Sequence, residues 1–419
     1  MLSEKPLRYE NAEIIMRKRF LPGVDVLLGK HTDWLKNKQI GLVSHLPAVN
    51  IDGITSAERI RNESGGRLAA LFGPEHGFLN TGNAGKPIPN RRHPYWRIPV
   101  YSLYGKNRKP TAAMFKNLDV IIMDIQDIGA RPYTYVSTLR FVLERADELN
   151  KPVIIADRPI PLPRVIDGPM LDPAFECFVG CVRTPMSYGM TPGEIALWLK
   201  ADIGLTLDLR IARMQGYMRQ PYREPNWPPW LPPSPGIRSW EAAACYLATV
   251  FTEALPSIDN GRSSNLAFQL IGAAWMKSKS VCERLSDMAL PGVAFYPHPF
   301  QSSTHAHSDL VLDGMRIVMR NPTIFRPVLT SIAIIFCLQT LYGINKVWKG
   351  ARKDFFDKLY GTDSVRKALM DGDNPRQVQR RWIFHQRAFR HTRKSFLLYG
   401  WSTQAQSDKG TSLRPVDIA

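Results

Sequence analysis

The first half of the chain alternates short continuous apolar runs with segments of helical periodicity. That pattern builds a parallel sheet with helices packed on its faces. Four runs read as buried strands: Gln39–Val43, Arg67–Phe72, Leu118–Met123 and Pro152–Ala156. Thr55–Asn62 reads as a helix after the first, a short helix begins after Pro110-Thr111 ahead of the third, and Tyr135–Leu149 precedes the fourth. From Asp167 the alternation loosens. Thr191-Pro192-Gly193-Glu194 predicts a helix start, with threonine at the N-cap, proline at the first helical position and glutamate at the third. Pro225 to Pro235 holds too many prolines for a helix or central strand and predicts a rigid loop that packs on the sheet or rims a pocket. After about Ala273, strand patterns (Gly292–Tyr296, Gly314–Met319) mix with helical ones. Leu329 to Ile344 is the most apolar stretch, but Thr330, Ser331, Gln339 and Thr340 interrupt it and it falls short of a span, so it predicts a buried helix.

Where each strand ends matters most, because open α/β sheets bind ligands at the carboxyl ends of their strands. The first run leads into Ser44-His45 and the second into Gly73-Pro74-Glu75-His76-Gly77. The third leads into Asp124-Ile125-Gln126-Asp127-Ile128-Gly129-Ala130-Arg131 and the fourth into Asp157-Arg158-Pro159. A parallel sheet would bring four carboxylates, two histidines and two arginines to one edge. Glu75 stands in a tight turn, which suits a general acid, and equally a structural carboxylate paired with Arg131 or Arg158. Asp124 and Asp127 could position a sugar hydroxyl, a water or a metal, and Arg131 has the planar fork that suits a carboxylate ligand. A salt bridge among these three accounts for the same spacing.

Net charge refines this picture. The chain has 419 residues and a formal charge of +18, with 55 Lys and Arg against 37 Asp and Glu. Between Lys346 and Lys394 stand 14 basic residues and 5 acidic ones, half of the excess. Such a balance favours an acidic partner or substrate, or marks a solvated helical surface. No RNA- or DNA-binding module accompanies it. Five cysteines (Cys177, Cys181, Cys245, Cys282, Cys337) form no disulfide framework, which suits a reducing compartment. Met1 to Phe20 lacks the apolar core of a secretory signal, so a cytoplasmic location is expected.

Other chemistries find little support. His305-Ala306-His307 has no neighbouring ligands at metal spacing, so no metal is expected. Cys177 and Cys181 read as two buried thiols. The sequence contains no nucleophile elbow, Walker loop or dinucleotide fingerprint, and no cofactor is expected.

Several strings resemble the NamZ family of exo-β-N-acetylmuramidases, in order from about Gly23 to about Tyr399. They include Leu71-Phe72-Gly73-Pro74-Glu75-His76-Gly77-Phe78, Val100-Tyr101-Ser102-Leu103-Tyr104-Gly105, Asp124 to Arg131 with Tyr133-Thr134-Tyr135, Asp157-Arg158-Pro159, Gly189-Met190-Thr191, Pro232-Pro233-Ser234-Pro235 and Gly272-Ala273-Ala274-Trp275. The resemblance implies a Rossmann-like parallel-sheet N-terminal domain (20–265), a smaller α+β C-terminal domain (266–402) and a cleft between them. Residues 403–419 are expected to form a flexible tail. It implies a glycosidase that removes non-reducing-end N-acetylmuramic acid, or a related acidic amino sugar, from peptidoglycan fragments. Glu75 is then the expected catalytic acid, with Glu194, Asp124 and Asp127 as candidates for the second carboxylate. Arg131 and Arg158 are expected to meet the lactyl carboxylate, with His45, His76, Tyr133, Asp157, Ser187, Tyr188 and Arg262 completing the substrate site.

Three strings depart from the family's pattern. His45-Leu46 stands where the family tends to show Asn-His, Ser187-Tyr188 where it shows Arg-His, and Asn260-Gly261-Arg262-Ser263 where it shows Glu-Gly-Arg-Gly. A family member that binds a cell-wall sugar without turnover, or a specialised-metabolism enzyme reusing the cleft, fits the same residues.

Overall fold

The structure, a computed structural model, describes residues 19–401 apart from 84, 221 and 303–309. The His305 and His307 pair, the 403–419 tail and most of the Met1 to Phe20 segment lie outside the described residues.

The central sheet has seven strands, in the order β3-β4-β2-β1-β5-β6-β9. They are β1 (Gln39–Ser44), β2 (Arg67–Gly73), β3 (Arg91–Arg92), β4 (Pro99–Ser102), β5 (Val120–Asp124), β6 (Val153–Ala156) and β9 (Leu209–Ala212). All pairs are parallel except the short edge strand β3 against β4. The buried centre, β1 and β5, is apolar along nearly its whole length, as strands covered on both faces must be. The chain runs outward from β1 through β2 to β4 on one side and from β5 through β6 to β9 on the other. The topological switch point therefore lies between β1 and β5.

Helices α1 (Gly23–Lys30), α2 (Ser56–Glu63), α3 (Ala112–Phe115), α4 (Tyr135–Glu148) and α5 (Pro192–Asp202) are the helices of this half. α5 begins as its sequence predicts. Thr191 accepts from the Glu194 backbone, Glu194 reaches back to the Thr191 backbone, and Pro192 occupies the first turn. Between β6 and α5 a two-stranded ribbon forms from β7 (Asp167–Met170) and β8 (Pro185–Ser187).

From α6 (Trp240–Thr249) onward the chain builds a smaller α+β part. Its three-stranded sheet joins β10 (Leu270–Ile271), β14 (Met315–Met319) and β11 (Val293–Pro297), with β12 (Phe300–Gln301) and β13 (Val311–Leu312) paired alongside. Its helices are α7 (Ser278–Asp287), α8 (Pro327–Tyr342), α9 (Ile344–Val347), α10 (Lys353–Tyr360), α11 (Ser364–Met370) and α12 (Pro375–Thr392). α8 is the predicted buried helix: Val328 to Ile335 are all sealed from solvent. No helix among the described residues is long and apolar enough to cross a membrane. One apolar cluster runs from Phe72 and Val136 under the sheet to Ile332 and Phe389, so the two parts share a core.

The sequence-predicted strands match β1, β2, β5, β6, β11 and β14 to within a residue or two. Of the central sheet the pattern missed β3, two exposed arginines, β4, which opens on a proline, and β9, a short edge strand flanked by Asp208 and Arg213.

Candidate active site

The crevice at the switch point is filled by the protein itself. Asp124, at the end of β5, pairs with Arg158 and accepts from the Ser56 hydroxyl, and Arg158 also donates to the Val49 carbonyl, 2.9 Å away. Asp124 and Arg158 are sealed from solvent. His45 is sealed beside them, its Nε2 accepting from the Gln126 backbone at 3.0 Å. Burial, then the Arg158 charge, push the His45 imidazole down to about 3, so the ring is neutral.

Most other carboxylates predicted for the edge are also spent on structure. Asp157 is wholly buried and accepts from the Thr191 hydroxyl at 2.7 Å, the Gly193 backbone at 2.7 Å and the Tyr399 hydroxyl. Burial raises it to about 7 against those hydrogen bonds. Asp127, raised by burial to about 6, accepts from the Ile128 backbone and the Tyr188 hydroxyl. Glu194 completes the cap of α5 and pairs with buried Arg219, which also holds the Pro163 and Gly189 carbonyls. None of these acids lines the large cleft.

Arg131 is likewise turned inward. Its guanidinium donates to the carbonyls of Pro169, Thr184 and Tyr360, clipping the start of α4 to the end of α10. Gly361 follows at φ +70°, and a Cβ there would collide with that guanidinium. Arg131 and Arg158, expected to meet a substrate carboxylate, thus do not line the open cleft, and the guanidinium donors that find partners do so within the fold. Ser187 and Tyr188 are sealed too, with the Ser187 hydroxyl on the Val165 carbonyl.

The open cleft lies instead at the ends of β2 and β4, against α6, α10 and the proline-rich loop, with a volume of about 950 Å³. Of the residues predicted for the site, Glu75, His76, Tyr133 and Arg262 line it. The β2 turn reverses through left-handed backbone at His76 (φ +70°) and Gly77 (φ +74°), closed by a bond from the Gly77 backbone to the Pro74 carbonyl at 2.8 Å. That turn presents Glu75 to the cleft. Oε1 accepts from the Gly85 backbone at 2.9 Å and Oε2 from the Thr134 hydroxyl at 2.7 Å. A hydroxyl can donate or accept, so the Thr134 contact survives protonation of Oε2, whereas the amide fixes Oε1 as an acceptor. Oε2 is thus the oxygen that can carry a proton. Tyr104 lies against the same carboxyl. Burial first, and the Glu75 charge second, push its phenol up to about 12. His76 bonds through Nδ1 to the Gly82 carbonyl at 2.7 Å, which fixes its orientation.

The chemistry that sequence reading missed is on the far wall. Glu253, in the short 3-10 turn after α6, lines the cleft and accepts from Arg262 at 2.7 Å. The charges of Glu75 and Glu253 both bear on the phenols of Tyr104 and Tyr246, so the two carboxylates flank one space. Nothing in the local string Phe251-Thr252-Glu253-Ala254 marks Glu253; only the fold brings it to Glu75. Five basic side chains (Arg108, Arg238, Arg262, Arg352, Lys358) surround these two acids in the lining. Arg262 is paired with Glu253, Arg238 is held by Asn265 at 2.9 Å, and Arg352 lies over the Phe355 ring. Arg108 stacks over Phe178 at 4.5 Å. Neither Arg108 nor Lys358 has a carboxylate partner among the described residues, and both charges act on the Cys177 thiol in the same wall. Cys177 is half-buried and Cys181 buried, and all five cysteines are free.

A parallel sheet with a capping α+β part, and a cleft holding two carboxylates within a basic, tyrosine-lined wall, has the build of a glycosidase. The comparisons give the family. Residues 40–241 match the family model "Exo-beta-N-acetylmuramidase NamZ, N-terminal" and residues 244–399 match its C-terminal counterpart. The chain belongs to the NamZ family and is a glycosidase. It is 33% identical over 378 residues to "Peptidoglycan beta-N-acetylmuramidase NamZ" of Bacillus subtilis (strain 168), covering 90% of this chain and 91% of that protein. Two crystal structures of DUF1343 family proteins from Bacteroides fragilis NCTC 9343 are similar, each covering 91% of this chain and 99% of theirs. One has a TM-score of 0.85 at 28% identity, the other 0.69 at 25%.

Proposed function

We propose that this chain hydrolyses β-linked N-acetylmuramic acid from the non-reducing end of peptidoglycan fragments. The observation that carries the reading is the pairing of Glu75 and Glu253 across a cleft whose remaining charge is positive. Glycoside hydrolysis needs one carboxyl to protonate the leaving oxygen and a second to act at the anomeric carbon, as base towards water or as nucleophile. Glu75, with Oε2 free to hold a proton against Thr134, takes the first role. Glu253, oriented by Arg262, takes the second. Asp124, Asp127 and Glu194, once candidates for it, serve the scaffold.

The substrate's distinguishing group is its lactyl carboxylate. Arg108 and Lys358 are the cations placed to meet it, in the part assigned from sequence to Arg131 and Arg158. A charge-assisted hydrogen bond contributes about 1.5–3 kcal/mol against about 0.5–1.5 for a neutral one, so such a contact favours an acidic sugar by about tenfold. Tyr104 and Tyr133 supply flat surfaces for the sugar ring, and His76 can donate or accept towards its hydroxyls.

The test is product analysis by mass spectrometry, with a disaccharide of N-acetylmuramic acid β-linked to N-acetylglucosamine as substrate. Release of free N-acetylmuramic acid is expected. An untouched disaccharide, with full-strength binding by calorimetry, would instead establish a sugar-binding protein without turnover.

A further inference from the structure

A second feature lies outside the cleft and shares no lining residue with it. Helix α12 turns Val378, Trp382, Gln386 and Phe389 inward, at the spacing of one helix face. Arg376, Arg380, Phe384 and Arg387 follow the same spacing on the opposite, exposed face, with Arg390 beside them. The helix contains no acidic residue. Arg381 finds Asp373, but Arg376, Arg380, Arg387 and Arg390 have no carboxylate partner among the described residues. Phe384, in the middle of this stripe, is 76% exposed.

At its N-terminal end the stripe runs into a cavity of about 490 Å³ between α7, α8 and α12. Arg284, Arg376 and Arg380 stand around it, Met288, Leu290 and Phe336 give it apolar walls, and Asp287 is the one carboxylate in the lining. Arg284 has no carboxylate partner among the described residues. The helix N-terminus itself is closed by Asn374 and Gln377, so the cations, not the helix end, define the site. Uncompensated like charges on one face raise the local potential and attract a counter-charge from outside the chain.

We propose that the exposed face of α12 and the adjoining cavity dock on an anionic lipid surface, with a lipid phosphate at Arg284, Arg376 and Arg380 and Phe384 entering the acyl boundary. A fully hydrated polyanion would use the arginines but would leave the exposed ring and the apolar walls of the cavity without a role. A bilayer uses both, since interfacial binding combines attraction of basic side chains to anionic headgroups with burial of apolar groups just below them. The protein lies on such a surface and does not cross it.

The experiment is co-sedimentation of the full chain with vesicles of phosphatidylcholine alone or mixed with phosphatidylglycerol. Retention on immobilised inorganic polyphosphate is measured in parallel. Binding to the mixed vesicles and not to the neutral ones is expected. Each basic residue near an anionic surface contributes about fivefold to partitioning, so Arg376→Glu with Arg380→Glu should lower binding at least about twentyfold. Phe384→Ser should lower vesicle binding severalfold and leave polyphosphate retention unchanged. Turnover of a soluble muramide should be unaltered in all variants, which separates this surface from the cleft. No binding to anionic vesicles, or equal binding to neutral ones, would overturn the proposal. So would strong polyphosphate retention with vesicle binding indifferent to Phe384→Ser, which would assign the face to a soluble polyanion.

Discussion

The Thr134 hydroxyl stands 2.7 Å from Oε2 of Glu75, joining the turn after β2 to the start of α4. This bond sets which way the carboxyl faces. Thr134→Val should lower kcat by about tenfold with little change in KM and displace the alkaline limb of the pH profile, where the general acid loses its proton, while Thr134→Ser should restore both. Steady-state kinetics across pH on a soluble muramide checks this. Equal loss in the valine and serine variants would point to packing and not to the hydroxyl.

Glu253→Gln keeps the shape of the side chain and its contact with Arg262 but removes the charge. If Glu253 is the second carboxylate, kcat should fall by about a hundredfold to ten-thousandfold while substrate binding persists. An inhibitor-binding titration alongside turnover separates the two effects. A variant with near wild-type kcat would remove Glu253 from the reaction.

Asp124 and Arg158 form a sealed pair at the switch point, so breaking it should cost stability and not chemistry. Arg158→Met leaves a buried carboxylate without its partner, a change worth about 3–5 kcal/mol, whereas Asp124→Asn with Arg158→Met should cost less than the two single changes added. Denaturant melts of the three variants measure this. Folded protein of each should retain its KM, which Arg158 contact with substrate would not allow.

The contrast between Glu75 and Asp124 shows how far the sequence could be read. Alternating apolar runs and helical segments located the strands, and the capping signal at Thr191 located α5, because backbone periodicity and capping are local. The strand-end rule also led to Glu75, held in a turn that needs left-handed backbone. It led equally to Asp124, Asp127, Asp157 and Arg158, which stand at the same edge but fill the crevice with pairs of their own. Whether a strand-end carboxylate is open or sealed depends on partners far away in sequence: Val49 for Arg158, Tyr399 for Asp157, Tyr360 for Arg131. Glu253 and Lys358 were invisible for the same reason, since each reaches the cleft from a segment whose own pattern is ordinary. Of the positions that depart from the family's strings, only Ser263 faces the cleft, beside the retained Arg262.

His45 gives the fold a pH signature. Its imidazole titrates at about 3 in the folded chain against an ordinary 6.5, so the unfolded chain binds the extra proton between those limits. Its contribution is therefore complete above about pH 6.5 and is lost progressively as pH falls towards 3, at up to about 1.4 kcal/mol per pH unit. Asp157 works the other way, its raised carboxyl costing stability as pH rises from 3.8 to about 7. His45→Gln can still accept from the Gln126 backbone but cannot titrate. Its denaturation midpoint should fall less steeply than wild type between pH 6 and pH 4. Parallel slopes would show that His45 is protonated in the fold.

The most direct measurement is the hydrolysis of a disaccharide of N-acetylmuramic acid β-linked to N-acetylglucosamine, whose sugar leaving group needs a proton, beside the matching disaccharide with N-acetylglucosamine at its non-reducing end, for wild type, Glu75→Gln and Arg108→Met with Lys358→Met. Wild type should turn over the muramide with about tenfold or greater preference in kcat/KM. Glu75→Gln should lose all turnover at an unchanged melting temperature, and the preference should collapse in the double variant. Near wild-type turnover by Glu75→Gln would contradict the role of Glu75 as the catalytic acid.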